Sequence, residues 1–494
     1  MKYLNIKKIA GLVFMLNFLI VFSLAFGQRV LTLKEALEIG MEKSPSMQQV
    51  RLSLEENQHL LKAAKASLKS GFAMNITPFD YSKDRKYSDL FSLWNTVETT
   101  QSSGTFSINQ PIKWTDGTLS LINSLSWQNS KSEYNSGAND KSFNNNLYLS
   151  FEQPIFTYNR TKLEFKKIEL NLENAALKYA IQKLSIEKEV SQSFYDVFYN
   201  KRSLEISIEE TKNNEESYQI IKNKVDAGIS AKEELYQAEI NLANSRSSEK
   251  DAEVQLANTL DEFKDLLGIS LYDEVAVEAD IDYTEVLVDL EKATQNGLKE
   301  RMELRQQEIN LQTEYDNLTE TSALNEFKGS IALSYGIIGT NENFSKMYDE
   351  STENQKFSVS LEIPLWDWGE KKQKILAQES AIQRSKIDQS QESNAVIIGI
   401  RQAYRNLVNQ LNQIQIAEVT EKNAQLTYDI NLERYKNGDL TSKDLGEFQT
   451  QLSRQKLEYL RSLIQYRLAL LDLKIQSLWD FERNEPVIPD KKFK

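Results

Sequence analysis

The sequence predicts a mixed fold: strands of a membrane-inserted β-barrel continuous with very long α-helices, the pattern occurring twice in one chain. Three observations predict it. Proline and glycine nearly vanish from two stretches filled with helix formers; other segments alternate apolar and polar residues at period two; and both features recur at a fixed offset.

Composition narrows the function. The 494 residues include no cysteine, one histidine, 17 glycines and seven prolines, with 59 Lys+Arg against 72 Asp+Glu and a formal charge of −13. Without cysteine there is no disulfide scaffold, thiolate zinc site, iron–sulfur cluster or thiol nucleophile. His59 alone leaves little for a His-ligated metal or a Ser-His-Asp triad, and beside Leu60 and Leu61 it reads as an ordinary helical side chain. The acidic balance argues against a nucleic-acid partner, which needs clustered Lys and Arg. No G-x-S-x-G, H-E-x-x-H or phosphate loop occurs, so neither enzymatic activity, a cofactor nor a metal is expected.

Residues 1–27 read as a secretory signal. Lys2, Lys7 and Lys8 precede the apolar run Ile9–Phe26, and Ala25 and Gly27 are small residues at −3 and −1 to a cut after Gly27. Removing the three lysines takes the charge from −13 to −16. No later run reaches the ~18 apolar residues of a spanning helix, so membrane insertion after export requires a closed β-barrel.

Thr32 with Glu35 forms a capping box for the first helix, expected over Thr32–Lys69. Strands follow within 71–156: Phe72, Met74 and Ile76 begin one alternating run, Thr105–Ile108 and Leu119–Trp127 lie in others, and Phe143, Leu147, Leu149 and Phe151 alternate with polar residues. Apolar on one side and small or polar on the other, such runs suit lipid outside and water within. From Thr157 to Asp226 the sequence is helical in character, with Leu170, Leu177 and Leu184 at intervals of seven. Its 70 residues span roughly 105 Å at about 1.5 Å per residue. Gly228 marks a reversal, where glycine tolerates positive φ, and the helical hairpin runs over 157–267. A short mixed segment fills 268–288. The second half repeats the order: helix 289–325, strands within 328–366 (Ile331–Ile337 and Phe357–Ile363 alternating), a hairpin over 370–481 turning at Gly438 and capped by Asp367 with Glu370, and a tail 482–494.

The two halves, 28–267 and 289–481, are a repeat. At offset 210 the run Leu149–Phe156 maps onto Val359–Trp366, Pro154 onto Pro364, Gly228 onto Gly438, Glu234 onto Asp444 and Leu242 onto Leu452. At offset 257 Leu33, Ala36 and Gly40 map onto Leu290, Ala293 and Gly297, so the first half carries 47 extra residues before Pro154. The helix lengths suggest that the N-terminal helix stacks on the C-terminal one. Trp366 and Trp368 mark either a membrane interface or packing at the strand–helix joint.

The pattern resembles the TolC family of outer-membrane efflux proteins. The residues that carry it are Leu31-Thr32-Leu33-Lys34-Glu35-Ala36-Leu37, the strand-end prolines Pro154 and Pro364, and the turns Lys224–Leu235 and Arg434–Leu445. The resemblance spans nearly all of the chain after the signal. It implies a homotrimer in outer-membrane lipid, each protomer giving about four strands to one shared twelve-stranded barrel continuous with a periplasmic coiled-coil tube. It implies that the turns Gly228, Ile229, Ser230 and Gly438, Asp439, Leu440 dock a periplasmic adaptor (membrane fusion) protein, with an inner-membrane pump beyond. It assigns Asp444 and Glu447, six and nine residues after Gly438, to an acidic ring at the channel gate. Six carboxylates around one axis favour cations and give the constriction a pH dependence. Tyr435 and Glu234 fall on the polar network that ties the closed state. The basic partner expected two residues after the second glycine is replaced by Leu440, with Lys443 or Lys436 as substitutes. The exported substrate stays open: drug, metal and one-step protein secretion all use this architecture. A periplasmic coiled-coil adaptor without a pore is the alternative of a different class.

Overall fold

The computed structural model describes residues 29–89, 92–132, 139–349 and 351–487. The expected signal at 1–27 and the end of the tail lie outside them. The chain divides into two units. One holds the chain up to Ser53, Ala176–Arg305 and Ser390 onward; the other holds Leu54–Ala175 and Gln306–Gln389.

The second unit is built on one antiparallel sheet. Its strands are β2 (Gly71–Ser88), β3 (Leu93–Ile112), β4 (Gly117–Ser132), β5 (Asn139–Ile155), β7 (Lys328–Asn341) and β8 (Thr352–Glu362), neighbours in that order. Six strands stand where about four were expected. The 47-residue excess is the reason: it alternates at period two like its neighbours and folds as further sheet rather than as an outer loop. Register separates the faces, because facing residues share a side and successive residues do not. Phe72, Ile108, Leu121, Leu149 and Tyr335 form one row across five strands, and Leu119, Phe151, Leu333 and Phe357 another. The opposite face carries Asn75, Thr105, Ser124 and Asn146, and Asn109, Ser120, Ser150, Ser334 and Lys356. A sheet exposing one apolar face and lining the other with small polar groups suits lipid on one side and water on the other. Among the described residues no helix is long and apolar enough to cross a membrane.

Both strand–helix junctions close on a carboxylate, by different routes. Pro154 pairs opposite Ser330 at the end of β5, and Phe156 takes φ 61°. The following helix α3 (Arg160–Asp226) is capped from a distance: Asp116, in the β3–β4 turn, accepts the Arg160 and Thr161 amides at 3.2 and 3.0 Å. Asn159 accepts the Lys162 amide. After Pro364, Asp367 accepts the Gly369 and Lys371 amides at 2.9 and 3.2 Å at the start of α7 (Glu370–Asn437). The expected partner Glu370 instead pairs with Lys374 at 2.5 Å, an ordinary i,i+4 contact. Trp366 and Trp368 are exposed and meet edge to face with ring centres 5.7 Å apart, which fits an interfacial belt better than a packed joint.

The first unit is helical. β1 (Arg29–Leu31) leads into α1 (Leu33–Lys43), whose Thr32–Glu35 capping box is present in both directions. The helix does not run on to Lys69. It breaks at Ser44, ψ 134°, because Pro45 pushes its predecessor out of helical geometry, and α2 covers Pro45–Ser67. The repeat breaks alike: α5 (Leu290–Glu300) stops at Arg301, ψ 126°, and α6 covers Met302–Ser322. Arg301 is held there by Glu303, the Gln476 side chain and the Ile475 carbonyl. In the segment 268–288, β6 (Val275–Val277) pairs parallel with β1.

The expected stacking of the N-terminal helix on the C-terminal one is overturned. Lys43–Pro45 abuts Gly268, at the end of α4 (Lys232–Leu267), and α5 packs beside α8 (Ser442–Ser477). Each half therefore completes itself. Two matching cores follow. Ala36, Ile186, Val190, Phe194, Phe263 and Leu267 form one; Ala293, Val396, Ile400, Ala403, Leu470 and Leu473 form the other. In both, a glycine permits close approach: a Cβ on Gly40 would stand 2.8 Å from Val190 Cγ2, and one on Gly297 2.5 Å from Ile400 Cδ1.

Candidate functional site

The two helical turns are built alike. In the first, the Gly228 amide bonds the Val225 carbonyl at 2.9 Å and the Ile229 amide the Lys224 carbonyl at 2.8 Å; in the second, the Gly438 amide bonds Tyr435 at 3.1 Å and the Asp439 amide Arg434 at 2.9 Å. These are paired Schellman closures, with φ +73° at Gly228 and +90° at Gly438. The offset of 210 read from the sequence thus maps bond onto bond.

Beyond the glycines the turns differ in sequence, and the difference between Ala231 and Thr441 makes the site. Thr441 caps α8: its hydroxyl accepts the Asp444 amide at 3.2 Å and donates to the Asp444 carboxylate at 2.8 Å. The equivalent position in the first turn is Ala231, which makes no side-chain cap. Glu234, the repeat mate of Asp444, has no hydroxyl to bind locally. Its Oε2 reaches the other hairpin and accepts the Ser442 amide at 2.8 Å. Tyr435 completes the link: its hydroxyl lies 3.3 Å from Ser442 Oγ and 3.1 Å from the Ser217 carbonyl. Tyr435 and Glu234 are thus brought together through Ser442.

The basic partner is Lys224, on the first hairpin. Its ammonium donates to the Tyr435 and Lys436 carbonyls at 3.0 and 3.2 Å and lies 5.5 Å from the centre of the Tyr435 ring. It serves the last carbonyls of α7, where cations are favoured. Neither expected substitute does this: Lys443 pairs with Glu447 at 3.9 Å, and Lys436 with Glu433 at 2.8 Å. Leu440 packs against a core of Ala424, Tyr428, Tyr435, Leu445 and Leu452. Sequence reading overlooked Lys224 and Ser442. Lys224 had a signal, since it stands four residues before Gly228 as Arg434 stands before Gly438.

Asp444 and Glu447 lie one turn apart at the start of α8, Asp444 half-buried and Glu447 exposed. Glu447, Lys443 and Gly446 border a polar groove with Asn241, Asn244 and Glu210 of the first hairpin. Gly446 admits the neighbouring helix: a Cβ there would stand 2.7 Å from Asn241 Nδ2. Ile229 is exposed and Leu440 half-buried, so the two turn surfaces are not equivalent.

Burial raises the Tyr435 phenol above its ordinary value; the Ser442 hydroxyl opposes this and Glu234 adds to it. Burial pushes Tyr428 up to about 12, with Asp429, Glu209, Glu216 and Glu210 contributing. A phenol that ionises later folded than unfolded stabilises fully below the unfolded value, near 10, and that contribution is lost as pH rises from there through 12. Thermal melts at pH 9 and 11.5 are expected to show a loss for the wild type that shrinks for Tyr428→Phe; an equal loss in both would show that Tyr428 does not set it.

No curated protein matches the chain. Among solved structures, the chain is similar to the Campylobacter jejuni CmeC outer membrane channel, with TM-score 0.70 and 13% identity over 93% of this chain and 87% of that one. It is similar to CusC, for which transmembrane channel formation is described, at TM-score 0.67 and 15% identity, covering 90% and 91%. It is also similar to the Vibrio cholerae outer membrane protein VceC, at TM-score 0.66 and 12% identity, covering 90% and 95%. At these identities the likeness shows the fold. The model of the family described as outer membrane efflux protein matches residues 118–269 and 294–475. Those spans take in β4, β5, β7, β8 and both helical hairpins, and leave out β2 and β3. The chain belongs to the outer membrane efflux protein family, a family of channels.

Proposed function

We propose that three copies of the chain form an outer-membrane channel whose helical turns reach into the periplasm, closed at rest and opened when a periplasmic adaptor docks there, with an inner-membrane pump supplying the cargo. The observation that carries this is the tie between hairpins: Glu234 to the Ser442 amide, Tyr435 to Ser442 and Lys224 to the end of α7. A few polar contacts between two turns of matching backbone are what a releasable closure needs. Net hydrogen-bond contributions of about 0.5–1.5 kcal/mol, more for charged partners, can be overcome by a docking protein. The exposed turn residues Gly228, Ile229, Gly438 and Asp439, with the half-buried Ser230, are the docking surface, and Leu440 anchors the second turn in its core. In the trimer Asp444 and Glu447 ring the constriction and select cations.

Single-channel conductance in a planar bilayer tests this. The wild type is expected to pass a small, cation-selective current. Asp444→Ala/Glu447→Ala is expected to raise the conductance severalfold and reduce the selectivity. An unchanged current in the double variant would remove these carboxylates from the gate. Absence of current from a folded, inserted protein would overturn the channel and favour a poreless adaptor.

A further inference from the structure

Among the described residues the six-stranded sheet has two free edges, β2 and β8. An open edge in lipid leaves amides and carbonyls without partners. We infer that β2 of one copy pairs with β8 of the next, Gly71 opposite Glu362, so that each copy gives six strands to the shared barrel and a trimer closes eighteen. The number of copies rests on the function proposed above; the edge pairing and its register go beyond it.

Three features of the sheet specify the joint. The first is direction. Every neighbouring pair is antiparallel, so the two outer strands of a six-stranded order run in opposite senses, and edges of successive copies meet antiparallel.

The second is facing. A shift of one residue turns every side chain to the wrong side. The apolar face ends in Phe72, Met74 and Ile76 on β2 and in Phe357, Val359 and Leu361 on β8. Phe72 and Phe357 are 69% and 67% exposed. Joining apolar to apolar requires an even-numbered residue of β2 against an odd-numbered residue of β8.

The third is tilt. The ladder leads from Gly71 through Asn109, Ser120, Ser150 and Ser334 to Lys356. β8 then runs on six residues, to Glu362. Placing Glu362 beside the next Gly71 staggers the barrel by six residues over six strands. At about 3.3 Å per residue and about 4.8 Å between strands, one residue per strand tilts the strands by about 35°, at the lower end of the ~35–45° of closed barrels. A stagger of four gives about 25° by the same measure, below that range. A stagger of eight sets Gly71 against Pro364, past the end of the strand and without an amide to donate.

The remaining register pairs Gly71–Thr77 with Lys356–Glu362. It places Phe72 against Leu361, Met74 against Val359 and Ile76 against Phe357, with Ala73 against Ser360 on the polar face. The run ends where the β2 ladder shifts between Thr77 and Asp80. Because β2 and β3 precede the family-matched residues, this barrel is wider than the twelve-stranded one, and barrels of about 16–18 strands enclose an aqueous channel.

The absence of cysteine makes disulfide trapping clean. Full-length Ala73→Cys/Ser360→Cys, reconstituted in liposomes and oxidised, is expected to pass from monomer to reducible dimer and trimer bands on denaturing gels. Thr77→Cys/Lys356→Cys tests the same register independently. Asn75→Cys/Ser360→Cys, matched to the eight-residue stagger, is expected to cross-link severalfold less. If Ser120→Cys/Ser360→Cys cross-links instead, in a particle that light scattering shows to be a trimer, the barrel closes through β4 with twelve strands; the inference then fails and the trimer stands. A mass other than a trimer overturns the proposed assembly itself.

Discussion

Glu234→Ala combined with Tyr435→Phe is expected to leave the channel folded and open. The carboxylate of Glu234 is the acceptor of the Ser442 amide at 2.8 Å, and the Tyr435 hydroxyl lies 3.3 Å from the Ser442 hydroxyl. A hydrogen bond to a charged acceptor contributes about 1.5–3 kcal/mol, and about 1.4 kcal/mol is tenfold in an equilibrium constant. Removing these two contacts in every copy, with Lys224 left in place, should raise open-state occupancy tenfold or more, read as longer and larger openings in planar bilayers. Glu233→Ala, one residue away and exposed, is the control and should behave as the wild type. A double variant with wild-type conductance and a normal melting curve would show that the tie does not hold the closed state.

The second large effect is on folding. Gly268→Ala is expected to destabilise the first unit by about 2–5 kcal/mol. Gly268 sits at φ +67°, and a Cβ there would stand 2.2 Å from the Lys43 carbonyl oxygen and 2.9 Å from its carbon. The left-handed conformation costs an alanine about 1–2 kcal/mol, and forcing backbone apart adds about 1–3 kcal/mol. Gly228→Ala separates the two causes. Its φ is +73°, but nothing lies within 4 Å of the added carbon, so only the conformational cost applies. Chemical unfolding followed by circular dichroism should rank wild type, Gly228→Ala and Gly268→Ala in falling order. Equal midpoints for the two variants would mean that the helix ends at Lys43 and Gly268 part freely.

Prediction succeeded where a property is local and repeated. The helices over 160–226 and 370–437, the glycine turns and the Thr32–Glu35 box match the structure because periodicity, positive φ and capping depend on residues a few positions apart. Tyr435 and Glu234 were legible as partners only through the family resemblance. Ser442 was not legible: the amide that Glu234 takes is a backbone group that any residue carries, and the hydroxyl beside Tyr435 is one of many serines until the fold brings the two together.

The two halves, their offset, the alternating strands and the helical hairpins could be read along the chain, because each rests on a pattern of nearby side chains. Tertiary structure decided what those patterns meet. It joined the 47 extra residues to the sheet as strands, because unpaired amides must find a ladder. It stacked each N-terminal helix pair on its own hairpin, because Gly268 and Arg301 let the chain close there. It put Glu234 on Ser442, because Ala231 leaves that carboxylate without a local partner. Contacts between residues some two hundred positions apart depend on the shape of the folded chain, and no local pattern encodes them.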